Sequence, residues 1–357
     1  MADQKLTALT EDTSPSSTDI VYSVKDPGGT PLLRKVEHGN LAVEGTSIRS
    51  TGEAGGTKFL REDGDGTCSW QAAGGGGGSG GYGTTEGRLT LESGVAVSPT
   101  DQTAKTTLYF TPYKGNLSML YDGSSAWVAT NNAELSIAVP STTVTPFDVF
   151  LDYNAGTPVL KVTDWTNDTT RATALTTQDG VLVQTGNTDW KYLGTCRTAG
   201  VSGQCEDSSA KRFVWNYYNR TIRDLNYWQN TTSWTYATST FRYANNDSNA
   251  KVEVVIGVVE DAVQLSVVAS VISGGSPYGI IGIGENSSSA LHSDCKRQGG
   301  GFSTGWYNFC STLSTIPAAI GYTYFSYLEW AFGGSLTFYG NTGSGDGKAG
   351  ISGIWRC

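Results

Sequence analysis

The residues of this chain that could do acid–base chemistry are a small group of aspartates. Asp164, Asp168, Asp179 and Asp189 lie within a short span of sequence. Hydrolysis of a glycosidic bond uses two carboxyl groups roughly 5–10 Å apart, one as acid and one as nucleophile or base. Each of these aspartates is next to Gly, Asn or Thr, in settings where Asp commonly shapes a turn. We therefore expect turns here, and the sequence predicts no catalytic residue.

The cysteines and histidines also lack the spacing of a metal site. The chain has six cysteines and two histidines, and no two cysteines form the C-x-x-C pair that is usual among zinc ligands. The sequence therefore predicts no metal site and no cofactor. Two pairs, Cys196 with Cys205 and Cys295 with Cys310, are near enough in sequence to close local disulfide loops. The alternative, reduced thiols in a reducing cytosol, stays open.

The segment "DCKRQGGGFSTGWYNFC" (294–310) concentrates aromatic rings among glycines. Sugars stack their apolar faces on aromatic rings, while neighbouring polar groups hold their hydroxyls. Rings in a glycine-rich loop are harder to explain as core than rings in a strand. The candidate receptor-binding residues are Phe302, Trp306, Tyr307 and Phe309. In the alternative interpretation, these rings tuck beneath the loop or pack on a neighbouring copy of the chain.

These side chains would have to be carried by strands and turns, because the composition is that of a β-rich chain. Among 357 residues, 46 are Gly, 18 are Tyr and 10 are Trp, and only 16% are charged. Tyr, Trp, Thr and Val fit a pleated surface, whereas Gly, Asn and Asp serve turns. Asp-Gly pairs at 122–123 and 179–180 lie between short apolar runs, which is a strong hairpin signal. We predict an all-β fold.

Composition divides the chain into four segments. Residues 1–73 contain a strand–turn–strand pattern, "DIVYSVKDPGGTPLLRKV", and are expected to form a small N-terminal domain. Residues 74–83 are a Gly/Ser run of the kind that forms flexible linkers. Short strands and turn signals predict a β-meander or barrel-like domain over 84–220. Longer alternating strands predict a β-sandwich, jelly-roll-like, over 221–357.

The charge and hydropathy of the chain disfavour two classes of partner. The formal net charge is −9 and the sequence pI is about 4.8, so the surface is expected to repel nucleic acid. No run of about 18 or more apolar residues is present, so we expect no membrane insertion. The N-terminal segment lacks the apolar stretch of a standard signal peptide, and we expect synthesis in a cytoplasm.

Several blocks of the sequence resemble one family. "TLYFTPYKGN", the "LYDG" turn, "TDWTNDTTRAT" and "KRFVWNYYNR" together resemble a module of tailed-bacteriophage virion proteins, over roughly residues 85–220. Downstream, "GYTYFSYLEW" resembles the C-terminal part of such proteins. The N-terminal "QKLTALTED" and "LLRKVEHGNL" are similar to segments that attach tail fibres or spikes to the particle. The segment 294–310 has no counterpart in this resemblance.

The resemblance implies a structural protein on the exterior of the virion, tail or capsid, made in the host cytoplasm. We expect a tail fibre or tailspike, a homotrimer, that binds a glycan or protein of the host surface. Its first domain, 1–73, would bind another virion protein, a tail or portal-adaptor component. The expected attachment residues are Ile20, Val21, Tyr22, Pro27, Leu32 and Leu33. Two alternatives stay open: a head decoration or head-fibre protein on the capsid, and a tailspike that is a glycan depolymerase.

Overall fold

In a computed structural model, the chain divides into two compact units, Met1–Gly76 and Gly77–Cys357. The structure describes residues 20–25, 32–37, 58–62, 68–72 and 81–357, the last range without 274, 276, 298, 302 and 342–348. The division between the units falls inside the glycine run 74–83.

The first unit is described as two antiparallel strand pairs. The strands are β1 (Ile20–Lys25), β2 (Leu32–Glu37), β3 (Lys58–Glu62) and β4 (Cys68–Ala72). β1 pairs with β2, with Ile20 opposite Glu37, and β3 pairs with β4. Five of the expected attachment residues lie in β1 and β2, as a strand–turn–strand pattern predicts. Pro27 lies outside the described residues.

The second unit is built from strands, with short 3₁₀ turns at Asn154–Gly156 and Ala244–Asn246. Its first strands are β5 (Gly87–Thr90), β6 (Gln102–Lys105), β7 (Thr107–Pro112), β8 (Leu117–Tyr121), β9 (Trp127–Asn131), β10 (Leu135–Ala138), β11 (Pro146–Asp152), β12 (Val159–Asn167), β13 (Thr170–Arg171), β14 (Leu175–Gln178), β15 (Val181–Gln184), β16 (Asn187–Arg197), β17 (Cys205–Asp207), β18 (Lys211–Arg212) and β19 (Val214–Asn216). The later strands are β20 (Ile222–Trp228), β21 (Ser233–Tyr236), β22 (Arg242–Tyr243), β23 (Lys251–Ile256), β24 (Val263–Ser273), β25 (Tyr278–Glu285), β26 (Gly299–Gly301), β27 (Gly305–Thr315), β28 (Gly321–Phe332), β29 (Leu336–Tyr339) and β30 (Gly350–Arg356).

This inventory confirms the predicted all-β class: none of the described segments is an α-helix. Turn-forming residues explain how several of these strands are connected. Asp179 and Gly180 have φ of 50° and 82°, the left-handed pair that a two-residue hairpin turn requires, and they join β14 to β15. The turn at Asp122 is longer, because its carboxylate accepts the backbone N–H groups of Ser124 and Ser125, each at 2.8 Å. No helix in the described ranges is long and apolar enough to cross a membrane.

Three large sheets organise the second unit. Sheet I has the strand order β13-β12-β11-β16-β15-β14, and β19 also pairs with β16. Sheet II has the strand order β26-β25-β28-β23-β18-β17-β6, and β22 also pairs with β28. Sheet III has the strand order β20-β30-β24-β29-β21, and β27 also pairs with β24. Sheet I is only partly the expected meander. Successive hairpins join its neighbours, but β16 returns along the other edge of β11, with Phe147 opposite Cys196.

Sheets II and III face each other across a continuous apolar core. Val254 of β23, Ile281 of β25 and Phe325 of β28 are fully buried on the sheet II side, and Val267 of β24 and Phe338 of β29 are fully buried opposite them. The long strands alternate buried and exposed residues, as a strand with one buried face must. The C-terminal part is therefore a β-sandwich.

The expected domain boundary at residue 220 does not separate two bodies. Arg212 of β18 lies opposite Val254 of β23 in a parallel pair, so both halves contribute strands to sheet II. Phe150, Tyr192 and Trp215 of the first half belong to the same core cluster as the sandwich residues. Short apolar runs indicate strands, but they do not indicate which distant strand each one pairs with.

Neither predicted disulfide is formed. Cys196 and Cys205 are both fully buried, and the Cys205 thiol donates a hydrogen bond to the carbonyl oxygen of Arg197 at 3.1 Å. Cys295 is partly buried against the sandwich core, and its sulfur accepts the N–H of Ile283 at 3.3 Å. Cys310 lies on the exposed side of β27, so these two thiols face different environments and are not bonded to each other.

Thiol reactivity is expected to follow this burial. In the native protein, iodoacetamide should modify Cys310 at least about a hundredfold faster than Cys205 or Cys357, because only the exposed thiolate reacts. Burial raises the pKa of Cys205 to about 12 and that of Cys357 to about 11, which lowers their thiolate fractions further. Peptide mass spectrometry after timed labelling, with urea-unfolded protein as the control, measures the rates. Comparable labelling of Cys205 and Cys310, or a Cys196–Cys205 disulfide without reductant, would contradict the structure.

Candidate functional site

The predicted aromatic loop is largely a β-strand. β27 lies at an edge of sheet III, and its side chains alternate between solvent and core. Trp306 is 62% exposed, whereas Phe309 is only 4% exposed and packs in the core. Tyr307 faces the core side, and its hydroxyl donates to the carbonyl oxygen of Ser303 at 3.0 Å. The prediction that Phe309 contacts a receptor is therefore wrong, because strand alternation turns it inward. Phe302 lies outside the described residues.

Trp306 belongs to a larger surface, the side of sheet III that faces away from the core, which we call the outer face. Its members alternate with buried residues along four neighbouring strands. They are Gln264, Ser266, Val268, Ser270 and Ile272 of β24; Trp306, Asn308, Cys310, Thr312 and Ser314 of β27; Thr337 and Tyr339 of β29; and Ser352 and Ile354 of β30. Because the strands are in register, these side chains form lateral rows across the sheet.

One end of the outer face is aromatic. The rings of Trp306 and Tyr339 have centroids 4.6 Å apart and are tilted by 41°. Ile272 lies directly opposite Trp306 on one side and Thr337 on the other. A single exposed ring is ordinary on a protein surface, but an aromatic pair next to an aliphatic residue is a ready stacking platform.

The middle of the outer face is polar and made of short side chains. The Ser270 hydroxyl donates to Asn308 Oδ1 at 2.8 Å, and Ser266 lies opposite Thr312 in the register. Where the side chains are short, the surface sinks into a groove of about 710 Å³. The groove is lined by Gln264, Leu265, Ser266, Asp294, Lys296, Thr312, Leu313, Ser314, Ser352, Gly353 and Ile354. It combines hydroxyl, amide, carboxylate and ammonium groups.

The other end of the outer face is aliphatic and carries charges at its rim. Ile222 and Ile354 are both exposed there, and a smaller cleft of about 160 Å³ continues from the groove past them to Asp261. Arg220 forms ion pairs with Glu260, at 2.6 Å, and with Asp261, which fixes the turn between β23 and β24. The turn at Glu260-Asp261 is thus held by an arginine that lies 40 residues away from Glu260 in the sequence.

A buried carboxylate supports the aromatic end from beneath. Glu329 Oε2 accepts the indole N–H of Trp234 at 2.6 Å, and Oε1 accepts from Arg242 Nε at 2.8 Å. Trp234 stacks on Phe338, and the centroids of these two rings are 5.7 Å apart. The next residue in the chain, Tyr339, carries the ring that lies on the outer face. Burial raises the pKa of Glu329 to about 7, which the bonds from Trp234 and Arg242 oppose.

The arrangement can bind a ligand by stacking and hydrogen bonding. Its rings and short hydroxyl side chains are the groups that hold sugars or polar peptide segments. Within the described residues, no group of three or more His, Cys, Asp and Glu side chains could hold a metal ion. Sequence reasoning identified Trp306 but missed Tyr339, Ser270 and Gln264. The period-two pattern of polar residues along β24 and β27 was the signal that could have found them.

Comparison with known proteins leaves the family open. No family model matches the chain, and no curated protein matches it. The solved structures that resemble it include the insecticidal delta-endotoxin Cry8Ea1 from Bacillus thuringiensis, at 8% identity and a TM-score of 0.21, covering 76% of this chain and 52% of that one. A Cry1Da tryptic core variant from Bacillus thuringiensis matches at 8% identity and a TM-score of 0.15, covering 74% and 52%. The chain spans about half the length of either structure, and at such TM-scores the likeness carries no argument.

Proposed function

We propose that the chain is a structural protein of a bacteriophage virion, a tail fibre or tailspike, that binds the host surface through the outer face of sheet III. The observation that carries this proposal is the pair formed by the exposed Trp306 and the half-buried Tyr339, on a face that continues into a polar groove of about 710 Å³. The resemblance of residues 85–220 to virion modules supports the particle as its location.

Adhesion fits the chemistry of this surface. Each contact that the outer face offers is weak, since it consists of stacking and single hydrogen bonds open to solvent. Several copies held together raise the strength of binding by orders of magnitude without any new contact, because later contacts form at high effective concentration. A homotrimer on a particle supplies that multiplicity, and it forms part of the proposal.

The first unit is proposed to hold the protein on the particle. It is a compact unit by its own contacts, Met1–Gly76, and β1 and β2 carry the apolar residues expected to attach it. Its partner would be a tail or portal-adaptor protein. Reconstruction of the intact particle with this chain traced would test the location: density on the capsid shell would indicate a decoration protein and contradict a tail role.

Replacing Trp306 by Ala is expected to lower host adsorption of phage carrying the variant at least about tenfold, since a central aromatic anchor contributes about 2 kcal/mol or more to an interface. Adsorption rate constants on host cells measure the effect. Phe332→Ala is the matched control: Phe332 is a comparably exposed ring, 57% against 62%, on sheet II. It should adsorb like wild type. Equal adsorption of the Trp306 variant, with its oligomeric state intact, would remove the outer face from the proposal.

A further inference from the structure

A second pocket, of about 240 Å³, lies in the same unit and shares no lining residue with the outer face. Its walls come from three places in the chain: the segment Tyr82–Gly83, the β14–β15 turn at Asp179–Gly180, and Tyr217–Tyr218 after β19. The volume lies below the roughly 300–1,000 Å³ of pockets for drug-sized ligands, which indicates a ligand about the size of one sugar ring.

The Tyr82 wall is held in place by a buried cation. Lys191 Nζ donates to the carbonyl oxygens of Tyr82 at 3.0 Å, Thr84 at 2.8 Å and Met119 at 3.0 Å. The Tyr82 ring also stacks on Trp127, with centroids 5.1 Å apart and planes 11° apart. All three ammonium donors are thereby used, so Lys191 positions the wall and has no remaining donor for a ligand.

Several polar atoms of the pocket have no partner in the described part of the protein. The hydroxyls of Tyr217 and Tyr218 make no hydrogen bond to any described residue, although both rings are partly buried. Asp179 Oδ2 accepts from Trp127 Nε1 at 2.8 Å and Gln178 Nε2 at 3.0 Å, while Oδ1 is unused. These two bonds lower the pKa of Asp179, so it stays an acceptor.

The charge around the rings favours a neutral ligand over a cation. An aromatic box with a carboxylate can bind a quaternary ammonium ion. Here, however, Lys191 Nζ already lies 5.0 Å from the Tyr218 ring centroid and 5.9 Å from that of Trp127. Burial lowers the pKa of Lys191 to about 7, but the three carbonyl oxygens around Nζ favour the ammonium form. A second cation beside these rings would be repelled. A polyol meets no such repulsion, and its hydroxyls match the unused oxygens.

We propose that this pocket binds one neutral pyranose ring, packed against the Tyr217 and Tyr218 rings, which meet edge to face, with its hydroxyls donating to Asp179 Oδ1 and bonded to the hydroxyls of Tyr217 and Tyr218. The site does not rest on the proposed host-binding face, since none of its residues belongs to that face. It places a glycan subsite at a turn whose Asp-Gly pair, taken alone, indicates only a hairpin.

Saturation-transfer NMR on the full chain tests the proposal, with the methyl glycosides of glucose, galactose, mannose and N-acetylglucosamine as probes. A side chain at Gly83 would enter open space, because a Cβ there meets no atom within 4 Å. We therefore expect Gly83→Gln to fold normally and to abolish the signal of any glycoside that binds wild type. Gly200→Gln is the matched control, since its Cβ is equally unobstructed and it does not line the pocket.

Conservative changes test the individual contacts. Tyr218→Phe is expected to weaken binding of the same glycoside about tenfold, since it removes one hydrogen bond to a ligand hydroxyl. Asp179→Asn is expected to weaken it less, since it replaces a charged acceptor with a neutral amide that can still hydrogen-bond to a hydroxyl. Asn also tolerates the left-handed turn position, so the hairpin is kept. The proposal would be overturned if no glycoside gave a signal with the wild-type chain, or if Gly83→Gln left every such signal in place. Binding of tetramethylammonium in place of the glycosides would also overturn it. None of these outcomes bears on the Trp306 adsorption test.

Discussion

Replacing Arg171 by Met is expected to lower the free energy of unfolding by about 3–5 kcal/mol, the loss typical of breaking a buried ion pair on one side. Arg171 Nε donates to Asp148 Oδ2 at 2.7 Å, and its NH2 group donates to the carbonyl oxygen of Gly257 at 2.8 Å. Asp148 is almost fully buried, and burial raises the pKa of its carboxyl while Arg171 opposes that rise. Without the guanidinium, this carboxylate keeps the hydrogen bond from the Thr195 hydroxyl but loses its neutralising charge.

The same arginine joins two parts of the fold. Asp148 lies in β11 of sheet I, whereas Gly257 directly follows β23 of sheet II. Gly257 must be glycine, because a Cβ there would lie 2.5 Å from the Trp215 ring. Losing Arg171 therefore leaves a buried carbonyl unpaired as well as a buried charge, and both penalties add to the cost.

Urea unfolding of the single and double variants measures the coupling. Asp148→Asn in the Arg171→Met background should restore part of the loss, since no uncompensated charge remains. Lys161→Met is the control, because Lys161 pairs with Asp152 at 3.6 Å and is 39% exposed; it should cost at most about 1 kcal/mol. A loss below about 1 kcal/mol for Arg171→Met would mean that the pair does not hold the sheets together.

Local pattern predicted the strands and several turns of this fold correctly. The two left-handed residues at Asp179–Gly180 need no information beyond the dipeptide and its apolar flanks. The alternation expected of the C-terminal strands likewise matches β24 and β27, whose residues alternate between the core and the solvent. These features depend on neighbours in the sequence, so a single sequence contains them.

The pairing between strands that are distant in the sequence could not be predicted from it. β6 pairs with β17, so that Gln102 lies opposite Asp207. β18 pairs in parallel with β23 of sheet II. The local periodicity of the sequence predicts neither pairing. Segment 294–310 shows a different failure. Its glycines indicated a loop, although Trp306 and Asn308 alternate with Tyr307 and Phe309 as in a strand. Counting that alternation would have separated the exposed ring from the buried ones.

Buried charges were the least predictable features. Lys191, Asp148 and Glu329 are each ordinary polar residues in the sequence, and their partners come from distant strands. Their pKa values depend on the desolvation that only the packed fold creates. The polar atoms around Tyr217 and Tyr218 that have no hydrogen-bond partner among the described residues cannot be predicted from the sequence for the same reason. Sequence composition therefore predicts the kind of surface, and the fold decides which groups are available on it.

Glu329→Gln is expected to remove a pH dependence of stability worth about 3 kcal/mol between pH 4.5 and 7. Burial raises the pKa of Glu329 from 4.5 to about 7 in the folded state, so the folded protein binds more protons than the unfolded chain across that window. Stability from this group is fully present below about pH 4.5 and is lost as the pH rises through 7. An amide does not titrate, and it keeps an acceptor for the indole N–H of Trp234.

Urea unfolding of wild type and variant at pH 4.5, 6 and 8 gives the difference profile, in which the other titrating groups cancel. The variant should gain stability relative to wild type as the pH rises. Glu134→Gln is a control of opposite sign: burial raises the pKa of Glu134, but the bonds from Ser93, Thr111 and Gly94 lower it to a greater extent. That variant should lose relative stability only as the pH rises toward 4.5, because both pKa values of Glu134 lie at or below 4.5, so its difference profile should be nearly flat from pH 4.5 to 8. Parallel profiles for wild type and Glu329→Gln would mean that Glu329 is ionised throughout, and that Arg242 outweighs burial beneath the Trp306–Tyr339 pair.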